Sequence, residues 1–252
     1  MLNIVIPMAG AGSRFIQAGY RDPKPLISIH GVPMIRAVIQ NLKPVQLHRF
    51  IFICQKKHLN DYGLEERFKQ WASNSVVIEL EGITEGAACT VLAAKSLIDN
   101  DEPLMIANSD QYVDANINRY LNQIAAYELD GLIMTMKAND PKWSFVGVGA
   151  NGLVNRVVEK EVISDEATVG IYNFKRGCDF IASAEEMIKK NERVNGEFYV
   201  APIYNRLISD GQRIGLFNIG FEGKGMYGLG IPSDLNCFLE NPISQQVIAS
   251  CK

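Results

Sequence analysis

Short apolar runs of strand length alternate with helix-patterned stretches through the first 130 residues, and no other feature narrows the fold as far. Residues 3–6, 50–54, 76–80 and 104–107 are runs rich in Ile, Val and Phe. Unbroken apolar runs of this length suit strands covered on both faces, as in a parallel sheet. Residues 33–42, 59–72, 87–97 and 116–127 lie between or after them and read as helices. Strand and helix in strict alternation predict an α/β chain. The second half is less regular, with strands expected at 131–137, 145–148, 153–159, 168–174 and 214–219 and helices at 178–190 and 198–209. The expectation is one domain over residues 1–252, with a central mixed, mostly parallel sheet flanked by helices. Residues 1–130 form its front half and 131–252 its back half. No linker, repeat or low-complexity run divides the 252 residues, and a chain of this length buries enough surface to need no disulfide or metal staple.

Charge is distributed unevenly. Residues 1–50 carry six Lys/Arg against the single acid Asp22, while the chain as a whole has a net charge of -3. One basic corner on an acidic body suits a small polyanion and argues against a nucleic-acid duplex, which requires a basic face. No apolar run approaches the roughly 18 residues of a membrane span. The five cysteines are scattered and never spaced C-x-x-C, which reads as reduced thiols. The first strand begins at residue 2 with no signal-like region before it. The expectation is therefore a cytoplasmic protein with no nucleic-acid or membrane partner, and a homo-oligomer is left open.

The first strand runs directly into Pro7-Met8-Ala9-Gly10-Ala11-Gly12-Ser13-Arg14. Small residues let main-chain N–H groups approach an anion, and an Arg that follows adds a planar fork for phosphate oxygens. Ten residues on, Asp22-Pro23-Lys24-Pro25 places a Lys between two prolines. Each proline fixes its own φ and extends the residue before it, so the Lys24 ammonium sits on a stiffened segment. The better-known phosphate loops do not match. There is no G-x-x-x-x-G-K-[ST], and the G-x-G-x-x-G pattern that starts at Gly10 ends on Phe15. The second strand leads to Cys54-Gln55-Lys56, without the acidic residue that reads a dinucleotide ribose.

Gly10-Ala11-Gly12-Ser13-Arg14, Pro23-Lys24-Pro25-Leu26 and Gly31-Val32-Pro33-Met34-Ile35, in that order, resemble the signature of the sugar-phosphate nucleotidyltransferases. The resemblance implies a Rossmann-like, GT-A-like nucleotidyltransferase fold. It also implies the reaction of a nucleoside triphosphate with a phosphorylated acceptor to give a nucleoside-diphosphate acceptor and pyrophosphate. It assigns the nucleotide to Met8, Ala9, Gly10, Ala11, Gly12, Ser13 and Arg14, to the base-reading turn Glu85-Gly86-Ala87, and to Ser109. Arg14, Lys24 and Asp110 become the catalytic residues, with Asp110 holding Mg²⁺ at the carboxyl end of its strand, where open α/β sheets bind ligands. Glu159, Lys160, Gly170, Tyr172 and Glu197 fall on the acceptor side, with Lys160 on the acceptor phosphate.

The resemblance weakens in the second half. Glu161 follows Glu159-Lys160 where the family has Pro, and Thr168 opens the strand that the family opens with Asn. The family's second metal Asp matches Gly228, and its Thr and Glu match Ile231 and Ser233. Glu222 or Glu197 could replace that ligand, or the site could hold a single ion or be impaired. The altered acceptor motifs resemble cytidylyltransferases of capsule and envelope precursors, so CTP is the expected donor. Two alternatives remain: a GT-A glycosyltransferase with Asn108-Ser109-Asp110 as a reduced D-x-D, and a non-catalytic nucleotide sensor. The glycosyltransferase leaves the Gly12–Lys24 clamp unexplained. His30, His48 and His58 have no metal-ligand spacing, and Trp143 and Phe145 are candidates for the acceptor pocket or the core.

Overall fold

A computed structural model describes residues 1–251, with nothing stated of the Ser250 side chain. In chain order β1 (Leu2–Pro7) leads to α1 (Ser13–Gln17), the small hairpin β2 (Ser28–Ile29) and β3 (Val32–Pro33), and α2 (Met34–Leu42). β4 (His48–Gln55), α3 (Lys56–Tyr62), α4 (Leu64–Trp71) and β5 (Ser75–Leu80) follow. Next come α5 (Ala87–Leu92), α6 (Lys95–Ile98), β6 (Leu104–Ala107), β7 (Gln111–Val113) and α7 (Ile117–Ala126). The back half holds β8 (Gly131–Lys137), β9 (Ser144–Val148), β10 (Val154–Glu159), β11 (Glu166–Phe174) and α8 (Gly177–Lys189). It closes with α9 (Tyr204–Ser209), β12 (Ile214–Glu222), β13 (Gly225–Gly228), α10 (Pro232–Glu240) and α11 (Ile243–Cys251).

The main sheet runs β5-β4-β1-β6-β11-β8-β12-β13-β7, with β9 and β10 attached to β11. β5, β4, β1 and β6 are parallel, β11 lies antiparallel between β6 and β8, and β12 is parallel to β8. This is the mixed, mostly parallel sheet that the sequence predicts. Its strands are apolar because helices cover both faces: β1, β4 and β6 are buried nearly throughout. One core lies under α2, α4 and α7 and another under α5, α8 and α9. Burial there pushes the Cys54 thiol up to about 12, as for a group deprived of water around its charged form. No helix among the described residues is long and apolar enough to cross a membrane.

Several expected elements are subdivided. The helix expected over 59–72 is two helices that meet at Gly63, whose φ of 56° is left-handed and ends α3. The helix over 87–97 divides into α5 and α6. The helix expected over 198–209 begins only as a 3₁₀ turn at Ala201–Ile203, with Pro202 in its first turn, and continues as α9. Pro lacks the N–H that an earlier helical turn would need. The hairpin, β7, β13, α10 and α11 were not expected.

Because β1 and β6 are adjacent and parallel, the loops after them leave the same edge of the sheet. That brings residues 8–14 against residues 108–110.

Candidate active site

The loop after β1 is fixed from below. Met8 and Ala9 are buried while Gly10 and Ala11 are exposed, and Gln55 at the end of β4 donates from Nε2 to the Ala9 carbonyl at 2.7 Å. A Cβ on Gly12 would stand 3.4 Å from the Lys24 Cβ, in ordinary contact, so the loop rests on the proline-flanked lysine; the left-handed φ of 62° is what favours glycine there. Lys24 begins a 3₁₀ turn, Lys24–Leu26, and its Nζ donates to Asp110 Oδ2 at 2.8 Å, with both side chains about a quarter exposed. Residues distant in sequence are thus joined by one ion pair at the carboxyl edge of the sheet. Arg14 opens the short α1 and is solvent-exposed.

The turn at Gly86 forms the opposite wall. Its φ of 130° and ψ of 172° lie in a region that only glycine occupies readily. A Cβ there would stand 2.4 Å from the Phe198 carbonyl oxygen and 2.6 Å from its nitrogen. The close approach lets Phe198 N–H donate to the Glu85 carbonyl at 2.9 Å and Ala88 N–H donate to the Phe198 carbonyl at 3.0 Å. Thr84 and Thr90 hydroxyls and the Thr90 N–H all donate to the Gly86 carbonyl. That carbonyl is engaged, so the turn offers main-chain N–H groups to a ligand. The Glu85 side chain turns away to Arg193, at 3.1 Å, and the Arg193 guanidinium lies 4.0 Å from the Phe198 ring centroid.

Between these walls lies a cavity of about 390 Å³, lined by Met8, Ala9, Gly10, Ala11, Lys24, Gly86, Ala87, Ser109, Asp110 and Glu197. Ala87 and Asn108 also line a second cavity of about 260 Å³, so the two adjoin. The second contains Lys142, Trp143, Glu159, Thr168, Gly170 and Tyr172. Gly170 lies against Asn108, where a Cβ would meet Nδ2 at 2.1 Å. Glu159 accepts a hydrogen bond from Ser144 Oγ. Burial raises its carboxyl above the ordinary 4.5, against the pull of that bond and of Lys160. Tyr172 is buried, hydrogen-bonded to Thr168 at 2.9 Å, and its phenol is raised by desolvation. A larger cavity of about 630 Å³ between β10, α8 and α9 holds none of the phosphate-loop residues.

The structure therefore gathers most of the residues singled out in the sequence. Gly12, Ser13, Arg14 and Glu85 do not line the first cavity, Lys160 does not line the second, and Glu197, expected on the acceptor side, lines the first cavity instead. Lys160 Nζ donates instead to the Tyr199 hydroxyl at 2.7 Å. Lys142 is the lysine on that cavity's wall, held to Glu222 at 2.8 Å. Gln55, Thr84, Thr90, Lys142, Phe198 and Asp234 were not foreseen. Among them only Asp234 carried a usable signal, since Pro232-Ser233-Asp234 has the Pro and first-turn acid of a helix start. Burial raises the Asp234 carboxyl above its ordinary 3.8, opposed by Lys142 and Arg14 and reinforced by Glu222.

The family described as nucleotidyl transferase matches residues 4–215. A bifunctional protein GlmU of Methanococcus maripaludis is 26% identical over 97% of this chain and 56% of its own length. This chain thus spans little more than half of the curated relatives it matches. A nucleoside-diphosphate-sugar pyrophosphorylase from Vibrio cholerae superimposes with a TM-score of 0.80 at 27% identity, over 94% of this chain and 100% of that one. The inositol-1-phosphate CTP transferase of T. maritima shares the fold, with a TM-score of 0.72 at 13% identity over 100% and 96% of the two chains.

Proposed function

Since the chain belongs to the nucleotidyl transferase family, we propose that it moves a nucleoside monophosphate from a nucleoside triphosphate, CTP first among them, to a phosphorylated small molecule. Pyrophosphate is released. A sugar 1-phosphate or a similar monoester of envelope-precursor synthesis is the proposed acceptor. The observation that carries this reading is the Lys24–Asp110 pair, 2.8 Å apart on the wall of a cavity that adjoins a second one. Two ligands in adjoining cavities would meet beside a lysine and a carboxylate.

The chemistry asks little of a base. A phosphate monoester is largely dianionic at neutral pH, so its oxygen attacks the α-phosphorus directly. The new P–O bond forms as the bond from the α-phosphorus to the bridging oxygen breaks, and pyrophosphate carries the electron pair away. The protein must align two mutually repelling anions and offset the charge that develops. Lys24, stiffened by its prolines, is the proposed partner of the α-phosphate. Arg14, at the mouth of the loop, has the planar fork for the outer phosphates. Lys160 and Lys142 flank the acceptor side, Glu159, Gly170 and Tyr172 shape it, and Glu197 stands on the wall of the first cavity.

The residues present also fit a divalent cation at Asp110. Asp110 is a partly exposed carboxylate on the cavity wall, the hard oxygen donor such an ion takes, and a Cβ on Gly230 would stand 2.7 Å from its Oδ2, so the glycine is what lets the carboxylate sit there. Bound Mg²⁺ would supply further neutralisation of the triphosphate.

The test is the thermal midpoint with Mg²⁺ and each of CTP, UTP, GTP, ATP and dTTP, followed by pyrophosphate release with phosphorylated acceptors. Ligand at about 100 times its Kd adds roughly 2.7 kcal/mol, or about 5–10 °C for a domain of this size. CTP is expected to give the largest shift, and Asp110→Asn to reduce it. No shift with any triphosphate but a shift with nucleotide sugars would overturn the reading in favour of a glycosyltransferase.

A further inference from the structure

We propose that Arg193 is the positioning residue of the turn at Gly86, clamping it to the loop that follows α8, an inference that rests on reading the first cavity as a triphosphate site. Residues 190–200 join α8 to the 3₁₀ turn at Ala201–Ile203. Their backbone doubles back: Asn191, Asn195 and Gly196 are left-handed, with φ of 54°, 50° and 83°. Val194 and Glu197 exchange main-chain hydrogen bonds in both directions at 3.0 Å. No side chain from Lys190 to Glu197 is buried, so packing alone does not fix this loop.

Arg193 supplies what packing does not. Its Nε donates to Asn191 Oδ1 at 2.7 Å and its Nη1 to the Gly196 carbonyl at 3.0 Å, which ties the loop to itself. Its Nη2 donates to Glu85 Oε2 at 3.1 Å, and the guanidinium carbon lies 4.0 Å from the centre of the buried Phe198 ring. Glu85 and Phe198 are the residues whose main chains meet beside Gly86, where Phe198 N–H donates to the Glu85 carbonyl. One planar cation thus grips both sides of that contact by their side chains. A guanidinium suits the task because its N–H donors lie in a fixed plane and leave its faces free to stack.

The clamp bears on the nucleotide without touching it. Arg193 and Glu85 are absent from the first cavity's wall, while Gly86, Ala87 and Glu197 stand on it. Gly86 directly follows Glu85, and Glu197 directly precedes Phe198. A turn that reads a base through main-chain N–H groups depends closely on where its backbone stands. The phosphate loop is held by other means, with Gln55 on the Ala9 carbonyl and Lys24 on Asp110. Loss of Arg193 therefore falls on recognition of the base and spares the hold on the phosphates. Glu85, whose side chain leaves the cavity, is the anchor of the clamp.

The experiment measures, by isothermal titration calorimetry with Mg²⁺, the Kd of CTP, UTP, GTP, ATP, dTTP and inorganic tripolyphosphate. The proteins are the wild type, Arg193→Met, Arg193→Lys and Glu85→Gln. Arg193→Met is expected to weaken the best-bound nucleotide at least about fivefold, the equivalent of one lost hydrogen bond, and to narrow its lead over the others. Tripolyphosphate, which has no base, is expected to stay within about twofold of wild type. Arg193→Lys keeps the charge but not the fork and is expected to restore little. Glu85→Gln, which leaves the loop's own bonds to Arg193 in place, is expected to shift the nucleotides the same way and to keep the ligand-free midpoint. Unchanged nucleotide affinity in Arg193→Met and Glu85→Gln, or a loss as large for tripolyphosphate as for the nucleotides, would overturn the proposal. Failure of the wild type to bind any of the nucleotides would instead sink the functional reading beneath it.

Discussion

Gly86→Ala tests whether backbone packing holds the nucleotide turn in place. At φ 130° and ψ 172° an alanine carries about 1–3 kcal/mol of conformational strain. Its Cβ would also lie 2.4 Å from the Phe198 oxygen, where ordinary contact begins about 1 Å further out. The neighbour is main chain and cannot rotate away, so the turn and the Phe198 segment must separate. That weakens the two hydrogen bonds between them, each worth about 1 kcal/mol. The sum is about 3–5 kcal/mol, or a fall in midpoint of roughly 6–20 °C. A displacement near 1 Å at a positioning element costs on the order of 10² in rate. Thermal unfolding and pyrophosphate release read the two effects. Gly82→Ala is the control, because a Cβ there meets nothing within 4 Å. A Gly86→Ala protein within 2 °C of wild type, with an unchanged nucleotide shift, would refute the reasoning.

Other outcomes follow from the same geometry. Lys24→Met is expected to slow pyrophosphate release by about 10²–10³ while shifting the midpoint little, because a partly exposed ion pair contributes about 1 kcal/mol or less. Glu159 has a folded-state pKa raised above 4.5 by burial. The native state therefore retains a proton that the unfolded chain has released, and stability falls as pH rises through that window. Glu159→Gln should raise the midpoint at pH 7–8 but not at pH 4, and lower acceptor turnover. A midpoint gain independent of pH would contradict that cause. Asn205 bonds both the N–H and the carbonyl of Val157 on β10, at 2.8 and 2.7 Å. Asn205→Ala strips both partners from that strand and should lower the midpoint by several degrees in a calorimetric scan.

The front of the molecule was legible because its signals are local. A buried parallel strand must be apolar along its whole length, so 3–6, 50–54 and 104–107 stood out, and the small residues and prolines from Pro7 to Pro25 announce an anion loop by their own conformations. What stayed hidden depends on partners far along the chain. Nothing around Gly86 shows that Phe198 lies against it, and nothing around Asp110 shows that Gly230 leaves its carboxylate room. Lys160 read as an acceptor lysine from its neighbours, and its neighbours could not show that Tyr199, on the wall of the second cavity, holds its ammonium or that Lys142 lines that wall directly. The break at Gly63 was hidden for another reason: the apolar pattern of 59–72 continues through it, and only the left-handed φ shows that the helix restarts.

Each close contact at the cavities pairs a glycine with an atom from elsewhere in the chain: Gly86 with Phe198, Gly170 with Asn108, Gly230 with Asp110. At Gly86 the partner is main chain, which cannot rotate away, while at Gly170 and Gly230 the absent Cβ lets the Asn108 and Asp110 side chains lie directly against the backbone, so each contact limits how far the loops at the sheet edge can shift. Side chains can then vary on the acceptor wall, where Lys142, Trp143, Glu159 and Thr168 face the second cavity, and the front frame need not move. That division accounts for motifs that match closely through Asp110 and loosely beyond it. If the chain acts as proposed, acceptor selection would lie in the side chains of β9, β10 and β11 and the segment leading into β9. Exchanges such as Thr168→Asn should therefore alter which acceptor is used while leaving the triphosphate-induced shift in midpoint intact. A fall in both would mean that the two cavities are not held independently.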